Sequence, residues 1–143
     1  MTISETYKYL ESVRRIESEI RKQQLKHDAL QSCLLPKAIT YDKDAVQTSP
    51  EDKMSEIAAE VADIEANLQI LAVTKYRTIN DLSKSIAKLD SEDEQIILLG
   101  YYIARRSVPD IANEIIHYSE RQTYRIKRRA VRNLANKLSQ MSV

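Results

Sequence analysis

Apolar residues recur three and four positions apart along most of this chain, a spacing that predicts helix almost throughout. From about Ser4 to Leu34 neither Pro nor Gly intervenes, and Tyr7, Leu10, Val13, Ile16, Ile20, Leu30 and Leu34 hold the spacing. Thr2 and Glu5 stand at capping-box distance, and Leu35-Pro36 closes the run. The stripe weakens at Gln23, Gln24 and His27. With no second His or Cys at ligand spacing, His27 reads as a solvated flank residue. Residues 36–50, PKAITYDKDAVQTSP, break the rhythm and form one long connection whose Ile39, Tyr41 and Val46 are expected to fold back on the helices. Ser49-Pro50-Glu51-Asp52 then starts a second long helix, with a hydroxyl cap, Pro at the first position and acids at the positive end of the dipole. Met54, Ile57, Val61, Ile64, Leu68, Leu71, Leu82, Ile86 and Leu89 follow a coiled-coil-like seam that falters at Lys75 and Thr78. Unbroken to Leu89, this helix would reach about 60 Å at ~1.5 Å per residue; a bend between Lys75 and Asn80 is the preferred reading. The two long helices are expected to pair as an antiparallel hairpin, with self-association into a homodimer through the Met54–Leu71 seam.

Beyond Leu89 the caps reset. Ser91 with Glu94, Ser107 with Pro109, and Ser119 with Gln122 predict three successive short helices. Ile96, Leu98, Leu99 and Tyr102 supply the apolar face of the first, with Gly100 permitting close packing, and Ile111, Ala112 and Ile115 point inward from the second. In the third, Thr123, Ile126, Ala130 and Leu134 share one face, while Arg121, Arg125, Arg128 and Arg132 lie together on the other.

One Gly, three Pro, 43% hydrophobic and 30% charged residues, without Trp or Phe, fit an all-α protein. Two parts are expected: residues 1–75 as the helical hairpin with loop 36–50, and residues 76–143 as a helix-turn-helix domain. Cys33 is the single cysteine, so no intramolecular disulfide forms, and it reads as a small apolar residue on a helix face. No apolar run has bilayer-spanning length and MTISETYKYLE lacks signal-peptide character, so a cytoplasmic protein with no membrane partner is expected.

The net charge of +1 conceals a strong polarity. Residues 119–143 carry seven Lys/Arg against one acid, giving +6, whereas residues 1–118 carry fifteen against twenty, giving −5. A basic terminal helix on an acidic body points to a polyanionic partner, double-stranded DNA first. In a helix-turn-helix the N-terminal part of the second helix lies nearest the bases. Arg121, Gln122, Tyr124, Arg125 and Arg128 are therefore expected at base edges, and Lys127, Arg129, Arg132, Arg105 and Arg106 at phosphates.

SIAKLDSEDEQIILLGYYIARRSVPDIANEI followed by SERQTYRIKRRAVRNLANKL resembles region 4 of sigma-70-type RNA polymerase sigma factors. With the ITYDKDAVQTSPEDKM loop and the N-terminal hairpin, the whole chain is similar to the small phage and prophage sigma-like regulators related to the ArpU and RinA late-gene activators. The resemblance implies promoter binding in phage or mobile-element DNA and contact with host RNA polymerase through the acidic-capped helix from Glu92 to Tyr102. It places Ser119–Ile126 on the recognition helix, with Arg121, Gln122, Tyr124 and Arg125 outward. Two departures are visible. The usual inter-helix Gly is absent and Ile115, Ile116, His117 and Tyr118 lengthen the turn by one residue, and no segment resembles the one that melts the −10 element. Action beside a host sigma factor follows.

Catalysis is not expected. Asp90, Glu92, Asp93 and Glu94 cluster where a helix N-terminus wants acids, and no nucleophile-base pair, phosphate loop, cofactor motif or metal spacing accompanies them. Two rival roles stay open: a DNA-packaging or architectural oligomer of small-terminase type, and a polymerase-binding inhibitor.

Overall fold

The computed structural model describes residues 1–34 and 50–141, and every element among them is helical. In order these are α1 (Ile3–Leu10), α2 (Ser12–Leu34), α3 (Pro50–Ile86), α4 (Glu92–Leu98), α5 (Val108–Asp110) and α6 (Glu120–Met141). π-helical turns extend α4 through Leu99–Ile103 and α5 through Ile111–Ile116. The fold-back expected of Ile39, Tyr41 and Val46, and the Ser49 cap, lie outside the described residues.

The chain divides into two compact units. One joins Met1–Arg15 to Lys75–Val143; the other spans Ile16–Thr74. The division expected at 75/76 assigned the first fifteen residues to the hairpin. They pack instead with the C-terminal helices, and the expected first helix is divided at Glu11 into α1 and α2. Thr2 and Glu5 form the reciprocal capping box that starts α1, so Leu10 and Val13 are delivered fully buried into a core with Leu82, Ile86, Leu98, Tyr102, Ala130, Val131 and Leu134. α6 consequently buries a wider face than its sequence pattern indicates, adding Val131 and Ala135 to Thr123, Ile126, Ala130 and Leu134.

A second cluster, Ile97, Ile111 and Ile126, joins α4, the turn after α5, and α6. A Cβ on Gly100 would meet Ile111 Cδ1 at 3.2 Å, so the hydrogen at this position permits the close approach. Ala112 is buried as the spacing predicts, whereas Ile115 is exposed: the π turn shifts it off the inward face.

In the unit Ile16–Thr74, Val61 and Ile64 are the buried apolar residues of α3, and Leu30, Leu68 and Leu71 are half-buried. His27 is not the solvated residue its surroundings predict: its Nε2 and Glu65 Oε1 lie 2.8 Å apart, linking α2 to α3. The Glu65 carboxylate raises the imidazole pKa above its ordinary value. Cys33 is exposed, not packed on an apolar face. α3 keeps its helical hydrogen bonding through Lys75–Asn80 as one helix of 37 residues.

Candidate nucleic-acid interface

Ser107 caps α5 by accepting from the Asp110 amide, and Ser119 caps α6 by accepting from the Gln122 amide at 3.2 Å. Between them the chain reverses at His117, whose φ of 57° is left-handed. An imidazole residue thus occupies the conformation that a Gly commonly takes in such turns. The turn is anchored from outside, since the Tyr118 hydroxyl donates to Asp93 Oδ2 at 2.8 Å on α4. That carboxylate raises the phenol pKa.

α6 lies with Thr123, Ile126, Ala130 and Leu134 against the core, and this fixes the opposite side outward. Arg121, Gln122, Tyr124, Arg125, Arg128 and Arg132 are all exposed there. Ser119, Arg121, Gln122 and Arg125 line an open concavity of about 300 Å³ at the start of the helix. Guanidiniums and an amide beside the unsatisfied amides of a helix N-terminus can hold an anionic oxygen or the acceptor edge of a base.

Four residues expected at phosphates are engaged or turned otherwise. Lys127 folds inward, its Nζ 4.4 Å from the centre of the Tyr101 ring and 5.3 Å from that of Tyr102. Burial lowers its pKa, with Arg14 and Arg128 acting in the same sense against Glu11. Position 127 falls between the arginine face and the core, and the long stem reaches the aromatic pair. Arg129 donates from Nε to Glu94 Oε1 at 2.8 Å, and Asn133 donates to the same oxygen at 2.8 Å. Arg106 is paired with Glu114. Arg105 is exposed but held at a left-handed φ of 58°.

Two interior features have no signal in the spacing of the sequence. Glu94 is 3% exposed, and its carboxylate serves as the junction of α4 and α6, although Ser91 still accepts from its amide as the cap predicts. Arg14 stacks over Tyr101 at 4.3 Å and donates to its carbonyl oxygen at 3.3 Å. Tyr101 thereby carries a cation from α2 as well as the one from α6. Both pairings cross long stretches of chain, which helical periodicity does not encode.

No protein-family model, curated protein or solved structure matches this chain. Among the described residues, no helix is long and apolar enough to cross a membrane.

Proposed function

We propose that this protein is a sequence-specific DNA-binding transcriptional regulator of phage or mobile-element type, acting as an activator beside a host sigma factor. In this reading α5 and α6 work as a helix-turn-helix of sigma region 4 kind, and α2 with α3 forms a hairpin arm. The observation that carries it is the exposed row Arg121, Arg125, Arg128 and Arg132 on the outer side of α6, with Gln122 and Tyr124 beside its N-terminal end. No acid of α6 other than Glu120 offsets that row. Phosphate contacts fall to Arg132 and to the distal part of the face, and base contacts to Arg121, Gln122, Arg125 and Arg128. Lys127, Arg129 and Arg106 act as internal ties. Host RNA polymerase is the proposed second partner, met through Glu92 and Ile96, which reach solvent on α4 where Glu94 does not.

The test is titration of the full chain against duplexes selected from a random pool, and against random duplex, over a series of salt concentrations. Arg125→Ala lowers affinity for selected DNA by about 1–3 kcal/mol and leaves random DNA nearly unchanged. Arg132→Ala weakens both alike and reduces the salt slope by about 1. Equal losses on both DNAs in both variants would leave only an electrostatic face. Transcription from a promoter carrying a selected site, with core enzyme and with or without the housekeeping sigma, tests the second partner. Activation is expected only when sigma is present.

A further inference from the structure

A lysine on a helical surface ordinarily points to water or pairs with an acid. Lys22, Lys84 and Lys88 are exposed, and Lys137 lies 3.3 Å from Asp90 Oδ2. Lys127 does neither. Its Nζ stands 4.4, 5.3 and 5.9 Å from the ring centres of Tyr101, Tyr102 and Tyr7, and no ion pair holds it among the described residues. These rings and the charges around them all belong to the compact unit that joins Met1–Arg15 to Lys75–Val143. Glu11 and Arg14 face the amine from the junction of α1 with α2, and Arg128 faces it from α6. The Arg14 guanidinium lies 4.3 Å from the centre of the same Tyr101 ring, so two cations share one ring. Desolvation is the main cause that holds the Lys127 pKa below its ordinary value; Arg14 and Arg128 add to it, and Glu11 opposes it. The amine is not sealed in: among the described residues, the buried side-chain nitrogen without a hydrogen-bond partner is Arg14 Nε.

We propose that Lys127 is a modification site, an amine that small acyl donors of the acyl-phosphate class modify ahead of the solvated lysines. Desolvation and a neighbouring cation are the two ways in which a protein activates a lysine as a nucleophile, and both meet here. The neutral nitrogen adds to the acyl carbonyl carbon. The bond from that carbon to the phosphate oxygen then breaks, inorganic phosphate leaves, and the amine proton passes to water. The product is an uncharged amide, which takes the α6 cation off Tyr101 and Tyr102 and leaves Arg14 on the Tyr101 ring. Each unit of fall in an amine pKa gives about tenfold more free base at neutral pH, against a loss of only about threefold in intrinsic nucleophilicity on the slope known for thiolates. Lys127 therefore gains on solvated lysines below their pKa of about 10.4 and loses that advantage above it. The site does not depend on the reading of α6 as a DNA-binding helix.

The full chain treated with acetyl phosphate, with acetylation at each lysine quantified by mass spectrometry over a pH series, tests this. Relative to Lys22, Lys127 is expected to label about threefold faster or more at about pH 7.5, and that ratio is expected to fall about threefold by about pH 10.5. Arg14→Gln removes a cation that opposes protonation and is expected to lower the ratio at the lower pH about twofold. Glu11→Gln removes the acid that favours protonation and is expected to raise it by about as much, in both cases with unchanged helical circular dichroism. A ratio at or below one near neutral pH overturns the proposal. So does a ratio independent of pH, which would mean that exposure alone sets the rate, or one that neither charge variant moves.

Discussion

Glu94 and Lys127 are ionisable residues whose surroundings differ from what their sequence neighbours suggest. A carboxylate that is 3% exposed and accepts from Arg129 and Asn133 is satisfied only while α4 and α6 stay in contact. Glu94→Ala removes the acceptor and leaves the Asn133 amide at the junction without it. A loss of about 1–3 kcal/mol in urea unfolding is expected, with Glu94→Gln retaining part through Asn133. An unchanged midpoint in Glu94→Ala would mean that water replaces the carboxylate. Lys127 yields the complementary expectation in DNA binding. Its ammonium sits over the Tyr101 and Tyr102 rings, so Lys127→Met keeps the stem and is expected to leave the salt slope of binding at its wild-type value, unlike Arg132→Ala. The exposure of Arg121, Arg125, Arg128 and Arg132 was legible from 3.6-residue periodicity alone. That Lys127, Arg129 and Arg106 turn to Tyr101, Glu94 and Glu114 was not, because each choice depends on a side chain brought near by another part of the fold.

Among the elements, capping followed local chemistry closely and helix ends did not. Thr2, Ser91, Ser107 and Ser119 each accept the backbone amide three residues on, as hydroxyl caps do. The π turn Ile111–Ile116 leads into the reversal before α6, which His117 makes in a left-handed conformation. His117→Gly relieves the positive φ and is expected to raise the unfolding midpoint slightly, by a few tenths of a kcal/mol at most, while Ala at this position lowers it. α2 and α3 carry a proton-linked tie. His27 faces Glu65 across the two helices and Asp28 on its own, and its pKa is raised in the folded chain. A raised folded pKa gives stability that is fully present below about 6.5 and is lost as pH climbs through the folded value. Thermal melts from pH 6 to pH 9 are therefore expected to show a decline with rising pH that His27→Gln abolishes. A decline of the same size in the variant would assign the dependence to other groups.

At the scale of the whole molecule, the main consequence lies in residues 1–15, which complete the core around Leu82, Ile86 and Leu134. Residues 76–143 were expected from the sequence to form the helix-turn-helix domain without residues 1–15. Without Leu10 and Val13 it exposes the buried faces of Val131 and Leu134. Leu10→Ala in the full chain is expected to cost about 2–5 kcal/mol, and a fragment beginning at residue 76 is expected to lose its cooperative melt unless a peptide of residues 1–15 is supplied. A sharp melt of the fragment alone would show the N-terminal segment to be dispensable. The all-helical class, the places where α1, α3, α4 and α6 begin, the burial of Ile111, Ala112 and Ile126, and the outward arginine row were determined by the sequence itself. Each follows from a preference acting within a few residues: apolar periodicity, a hydroxyl cap, or Pro at a first turn. The tertiary structure alone decided that α1 closes the C-terminal core, that α3 continues through its weak seam, that Glu94 is an interior acceptor, and that Lys127 and Arg129 turn to Tyr101 and Glu94. These are set by free energies of contact between residues far apart in the chain, where packing and pairing outweigh local propensity.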